Sequence, residues 1–260
     1  MKTSSETPIL QVKGLTIYYD SFRAVHEVSF DVNAGEIFGL LGPNGAGKTS
    51  TLSAIEGLLK QQSGDVIIAG YNTKDKPLYA RANIGVQLQA TSFQTELDVA
   101  DIIELYAGIY GVEMSNEKMK SMLADIKLTE VLSKRYGQLS GGQQQRLSLF
   151  IAMIHNPNLV LLDEPTSGLD PQSRRQLWER MEKIREEDHG VLLTTHSMEE
   201  AEAVCDRIAI IDHGNLITID TPQALIEKYK DDPEVVKASR KGKITLEDVF
   251  IGLTGRTIRS

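Results

Sequence analysis

Gly42-Pro43-Asn44-Gly45-Ala46-Gly47-Lys48-Thr49 fits the spacing G-x-x-x-x-G-K-[ST], and that spacing has a physical basis. Glycines let backbone N–H groups close around phosphate oxygens that side chains would hold away. Lys48 adds a point charge within reach of the β- and γ-phosphates, and the Thr49 hydroxyl is an oxygen donor for Mg²⁺. Asn44 and Ser50 belong with Gly42, Gly45, Gly47, Lys48 and Thr49 to the residues expected around the nucleotide. The flanks supply the context. Ile37 to Leu41 is a short apolar run of buried-strand type, and Lys48 to Leu59 reads as a helix. The loop therefore joins a strand to a helix N-terminus, where an anion is favoured.

Composition sets the bounds. With 260 residues, 41% hydrophobic and 25% charged, the chain can build one substantial core and a lesser appendage. No run approaches the roughly 18 apolar residues of a membrane span, and Met1 to Pro8 is polar, so a cytoplasmic chain is expected. Cys205 is the single cysteine, which excludes an internal disulfide and a cysteine-based zinc site. The five histidines show no metal-ligand spacing. A net charge of −8 argues against broad nucleic-acid binding, and no nucleic-acid partner is expected.

Ile9 to Ile17 and Val28 to Val32 read as strands, the second with the period-2 alternation of a half-buried antiparallel strand. Tyr18 and Tyr19 lie between them, where an aromatic ring could stack on adenine or simply pack at a strand end. Position favours Tyr19. Gly64 to Gly70 is a further strand, and Ile84 to Leu88 another, ending in Gln89. A glutamine there is placed to bind Mg²⁺ or hold the attacking water, and Gln87 competes for that role because both would face the same side.

Thr91 to Arg135 turns helical, with Asp98 as a candidate cap and the methionines Met119 and Met122 as core filler. Leu139-Ser140-Gly141-Gly142-Gln143 then opens a second glycine-marked helix with Ser140 at the N-cap position, hence a second anion grip about ninety residues after the first. Because a phosphate loop leaves the γ-phosphate open on one side, the economical reading is that this grip closes over a nucleotide held by another copy. Leu159 to Leu162 is a buried parallel strand ending in Asp163 and Glu164. Neighbouring residues of a strand point to opposite sides, which would let Asp163 hold Mg²⁺ and Glu164 take a proton from water. Pro171 starts a helix through Glu187, and Val191 to Thr195 is a strand ending in His196, a candidate for the γ-phosphate.

Taken in order, these features resemble the ATP-binding subunit of an ABC transporter. The likeness runs over nearly the whole chain, through Gly42–Thr49, Gln89, Leu139–Gln143, Asp163-Glu164, Ser167–Asp170 and His196. More narrowly, Leu162 to Arg175 and the ending Ile244 to Arg256 resemble the daunorubicin-resistance-like export ATPases. The resemblance implies an α/β fold, with a P-loop NTPase (RecA-like) core, an antiparallel β subdomain and an inserted α-helical subdomain over about residues 90–155. Residues 1–220 would form the ATPase domain and residues 221–260 an extension with short helices. It implies two ATP molecules held between two copies in head-to-tail arrangement. Lys48, Thr49, Gln89 and Asp163 would serve each nucleotide and its Mg²⁺, with Tyr19 on the base. Ser140, Gly142 and Gln143 would reach the partner's γ-phosphate. Glu164 would be the general base, His196 its organiser, and Asp170 a link between the two sites. A separately encoded membrane permease would complete the machine at the cytoplasmic face of the membrane.

Beyond Asp220 the pattern thins. Ile208–Ile211 and Leu216–Ile219 read as a hairpin, Thr221-Pro222 opens a short helix, Lys228 to Lys243 reads as a solvated linker, and Leu246 to Leu253 as a helix that docks on its own core or on a partner. The rival functions are an ABC-type ATPase away from membranes, such as one in iron–sulfur cluster assembly, and a non-catalytic scaffold. Glu164 and His196 disfavour the scaffold.

Overall fold

In the computed structural model, which describes residues 7–87, 93–239 and 242–255, the chain opens with antiparallel β1 (Leu10–Tyr19) and β2 (Phe22–Val32). The inward residues alternate as the pattern requires, with Val12 opposite Phe30. Tyr18 and Tyr19, expected in the connection, are instead the last residues of β1, paired with Arg23 and Phe22. A tight turn at Asp20-Ser21, with Asp20 at φ 52, lets pairing run to the strand tips. Next come β3 (Ile37–Leu41), buried throughout, and α1 (Lys48–Ile55). The helix stops short of the expected Leu59 because Gly57 adopts φ +71, the left-handed stop that glycine accepts without strain.

From there β4 (Ser63–Ile68), β5 (Tyr71–Asn72), α2 (Pro77–Ala82) and β6 (Ile84–Gln87) lead to the helical region of α3 (Val99–Ile109), α4 (Asn116–Asp125) and α5 (Gly141–Met153). These three helices share an apolar cluster that includes Ile103, Met119, Leu123, Leu147 and Ile151. Met119 is fully buried, as core filler should be. Asp98 occupies the N-cap position of α3, but its side chain accepts no capping bond. The first N–H groups donate instead to the carbonyls of Lys134 and Leu132, so the backbone takes the role expected of the side chain.

The remaining elements are β7 (Leu159–Asp163), α6 (Pro171–Glu186), β8 (Gly190–Thr195), α7 (Met198–Val204), β9 (Arg207–Asp212), β10 (Asn215–Asp220), α8 (Pro222–Tyr229), α9 (Pro233–Ala238) and α10 (Leu246–Thr254). The strands form two sheets, a four-stranded one in the order β2-β1-β4-β5 and a six-stranded one in the order β10-β9-β3-β8-β7-β6. In the second sheet β9, β3, β8, β7 and β6 run parallel, and β10 closes the edge antiparallel. His213 at φ 47 and Gly214 at φ 76 form the two-residue turn of the β9–β10 hairpin, with the positive φ values such turns need. Parallel strands bring their carboxyl ends to one edge, so the segments following β3, β8 and β7 meet there. Leu41 lies opposite Thr195, and Thr194 opposite Asp163.

Lys228 to Lys243 is not a plain solvated linker. It contains the end of α8 and all of α9, whose Val235 is fully buried. A Cβ on Gly252 of α10 would sit 2.5 Å from the Val235 side chain, so the two short helices pack in direct contact. One buried valine among charged residues gives no periodic signal. Leu246 and Phe250 of α10 join the cluster under the parallel sheet together with Leu225 of α8, so α10 docks on its own chain.

Candidate active site

The loop after β3 is shaped by close backbone approaches. A Cβ on Gly42 would lie 2.5 Å from the carbonyl oxygen of Ile211, and one on Gly47, at φ +103, 2.5 Å from that of Ala24. Both glycines are thus needed for packing on neighbouring strands as well as for room around a phosphate. Gly45, at φ +80, faces open space. No side chain caps the N-terminus of α1, which leaves first-turn N–H groups available to an anion. The loop lines a cavity of about 410 Å³ that includes Asn44, Gly45, Gly47, Thr49, Ser50 and Glu164.

Lys48 is buried in this cavity's floor. Its ammonium donates to the carbonyls of Gly42 at 2.7 Å and Pro43 at 3.2 Å and stands 3.8 Å from Glu164 Oε1. Burial holds its pKa below the ordinary value, while the charges of Glu164 and Asp163 pull the other way. The amine therefore rests on its own loop, held by contacts that phosphate oxygens would replace.

Glu164 breaks the strand geometry expected of it. At φ 47 it turns out of β7, and its N–H donates to the carbonyl and the hydroxyl of Thr194 at 3.2 and 3.1 Å. Strand alternation therefore does not set where the Glu164 side chain points, and the charges of both Asp163 and Glu164 act on Lys48. Asp163 itself accepts a hydrogen bond from the Thr194 hydroxyl. The Glu164 side chain also lies 3.3 Å from His196 Nδ1, and these two residues line a second cavity of about 430 Å³ with Ser167, Gly168 and Glu199. His196 sits on a tight turn in which Ser197 N–H donates to Thr195 Oγ1 at 2.9 Å, and Ser197 Oγ in turn caps α7.

Tyr19 reaches the phosphate-loop cavity from β1, its hydroxyl 3.3 Å from Ser50 Oγ. Phe22, 65% exposed, lines the same cavity and gives no signal in the sequence because it follows a turn rather than sitting in a motif. Gln87 is eliminated as a nucleotide contact. It is buried with its amide donating to Gln145 of α5, a packing partner that strand alternation alone does not disclose. Gln89 lies outside the described residues. Asp170 caps α6 in its own chain, accepting from the N–H groups of Gln172 at 2.9 Å and Ser173 at 3.0 Å. Cys205 is a core thiol whose pKa burial raises well above the usual value.

At the tip of α5, Ser140 and Gln143 form a reciprocal capping box, with Gln143 N–H donating to Ser140 Oγ at 3.3 Å and Ser140 N–H to Gln143 Oε1 at 2.9 Å. Ser140 uses its hydroxyl as an acceptor there, so its O–H proton stays free for an outside oxygen. Gly142 lies against α6, where a Cβ would meet Ser173 Oγ at 2.4 Å. None of these three residues lines the phosphate-loop cavity. The grip and the loop stay apart within one chain.

The donor set suits hard ligands. Hydroxyl and carboxylate oxygens from Thr49 and Asp163 match what Mg²⁺ takes beside substrate phosphates, and Lys48 on bare carbonyls matches a phosphate.

A strand, a glycine loop on an uncapped helix, and an acidic strand end facing the loop lysine define a P-loop ATPase. Residues 25–167 match the ABC transporter family, and the chain belongs to that family as one of its ATP-binding, ATP-hydrolysing members. It is 34% identical to the Nod factor export ATP-binding protein I of Burkholderia lata, over 90% of this chain and 93% of the relative. It is 38% identical to the probable multidrug ABC transporter ATP-binding protein YbhF of Escherichia coli, over 96% of this chain but 42% of that longer protein. Among solved structures, an ATP-binding subunit of an ABC transporter superposes with a TM-score of 0.81 at 28% identity, covering 94% of this chain and 99% of the other. A cassette solved as a dimer in a post-hydrolysis state with ADP and Pi has a TM-score of 0.73 at 28% identity, covering 82% and 98%. No helix among the described residues is long and apolar enough to cross a membrane.

Proposed function

We propose that this chain is the ATP-hydrolysing subunit of an exporter, working as a head-to-tail pair that closes around two ATP molecules and drives a separately encoded multi-span permease from the cytoplasmic side. The carrying observation is the placement of Glu164, turned by its left-handed backbone to lie between Lys48 and His196. Lys48 holds the β- and γ-phosphates once they displace the loop carbonyls. Glu164 takes the proton from attacking water, and His196 holds that carboxylate in position and faces the γ-phosphate. Ser140 donates a hydrogen bond from its hydroxyl to the γ-phosphate of the nucleotide held by the partner, beside the backbone of Gly142 and Gln143. Tyr19 lies against the base, and Asp170 stays at the junction of the two sites. Thr49, Asp163 and Gln89 hold Mg²⁺, which neutralises charge on the transferring phosphoryl group when bound.

The daunorubicin-resistance type is supported by the stretches Leu162–Arg175 and Ile244–Arg256, and export by the names of the Burkholderia and Escherichia relatives. Residues 1–220 serve as the ATPase domain, with residues 90–155 as the helical arm and residues 221–260 as the extension. The groove beside that arm receives a short cytoplasmic helix of the permease, which couples closure to transport. Replacing Glu164 with Gln tests the assignment. ATP should still bind while turnover slows by about 10²- to 10⁴-fold, the usual worth of a general base. Near-normal turnover removes Glu164 from the role.

A further inference from the structure

Away from the nucleotide, the described surface carries an apolar groove of about 370 Å³ between the end of α1, α2, β6, α3 and α5. Leu58, Ile84, Val86, Phe93, Tyr110 and Ile151 are among its walls. The elements around it also carry exposed large side chains, with Leu58 72%, Leu78 76% and Ile109 65% exposed. A surface of this kind marks a docking site.

One residue is out of character with the walls. Glu56 lines the groove and is only 8% exposed. Among the described residues no side chain or N–H group donates to its carboxylate and no cation pairs with it. Arg81, also in the lining, is turned to the end of α1, where its Nε and Nη2 donate to the backbone carbonyls of Glu56 at 3.2 Å and Gly57 at 2.6 Å. Its charge is spent on the negative pole of the helix. Burial, with the charge of Asp163 added, pushes the Glu56 carboxyl up to about 7. The other polar groups facing the groove, Tyr106, Tyr110 and Ser148, bring no positive charge.

A buried carboxylate with no compensating partner among the described residues is costly unless something else provides one. We propose that the groove takes an amphipathic helix that lays apolar anchors on its walls and inserts a lysine or arginine side chain toward Glu56. This rests on the reading that a permease helix docks here, and adds the chemistry by which the groove would select it. Helix-in-groove recognition places such anchors at i, i+3, i+4 and i+7, so the basic residue sits one turn from an apolar one. An acidic helix is rejected by the same carboxylate, which gives the groove specificity between partners.

The test uses three synthetic acetylated 14-residue helical peptides, identical in their apolar anchors and carrying Lys, Gln or Glu at the inserted position. They are titrated at pH 8 into the full chain labelled on isoleucine methyls, with Ile84 and Ile151 reporting the groove. The expected order of affinity is Lys, then Gln, then Glu, with about tenfold between the extremes, and Glu56→Gln should collapse the order without weakening the Gln peptide. Three peptides bound equally at the groove, or a Lys preference that survives Glu56→Gln, overturn the charge pairing and leave helix docking standing. No shift at Ile84 or Ile151 with any peptide overturns the groove as a helix site as well. The ATPase assignment is tested apart from both, through Glu164.

Discussion

Replacing Glu56 with Gln should stabilise the isolated protein in a way that depends on pH. The substitution keeps the shape of the side chain and removes its titration. In the folded chain the carboxyl lies at about 7 against an ordinary 4.5, so the native state binds the proton more tightly than the unfolded state. Between those values the unfolded carboxyl is ionised while the native one is still protonated, and wild-type stability falls as pH rises through this window. At about 1.4 kcal/mol per pH unit the full cost is about 3 kcal/mol. Solvent at the groove mouth screens part of it and brings the figure toward about 2 kcal/mol. For a chain of this size that corresponds to about 4–8 °C in Tm. Scanning calorimetry of both proteins at pH 4.5 and pH 8 measures it, with the variant melting higher at pH 8 and the two coinciding at pH 4.5. A difference of equal size at both pH values, or a wild type that melts higher at pH 8, would show that the carboxylate is compensated within the chain and refute the reasoning.

Lys48→Ala should weaken ATP binding by about 10- to 100-fold, the range for charge-assisted hydrogen bonds, read by calorimetric titration; a variant that still binds ATP tightly contradicts the phosphate assignment. Gly47→Ala forces a Cβ against the Ala24 carbonyl at φ +103 and should cost about 1–3 kcal/mol of stability, with loss of ATP binding. Gly45→Ala, strained at φ +80 but with open space, should cost about 1 kcal/mol, and urea melts compare the two. Val235→Ala should destabilise by about 2 kcal/mol, whereas Val236→Ala, at a residue 51% exposed, should change little; equal effects would mean that α9 is not held by its buried valine.

The residues proposed to carry the chemistry are legible because their spacing is set by backbone geometry. The glycine loop, the serine at the start of α5 and the acids ending β7 each sit at a helix or strand terminus, and termini leave a mark in the sequence. What pairs with what across the sheet left none. Gln87 and Gln89 looked equivalent by alternation, yet Gln87 is taken by Gln145 of a helix far along the chain. The left-handed turn at Glu164 defeats a strand-based prediction of side-chain direction, because a non-glycine residue with positive φ has no sequence signature. Glu56 carries no signal in the sequence for a related reason. It follows the apolar Ala54-Ile55, and only the packing of α2, α3 and α5 shows that it is enclosed. Val235 and α9 are not legible because a single buried residue in a charged stretch has no period to detect.

In the proposed pairing one copy builds only half of each reaction chamber, and the tip of α5 serves the other copy's nucleotide. Sedimentation of Glu164→Gln with and without ATP and Mg²⁺ tests it most directly. One copy per particle is expected without nucleotide and two with it, and adding Ser140→Arg should abolish the pairing while ATP still binds to the loop. A saturated protein that stays single, or a pair that survives Ser140→Arg, contradicts it.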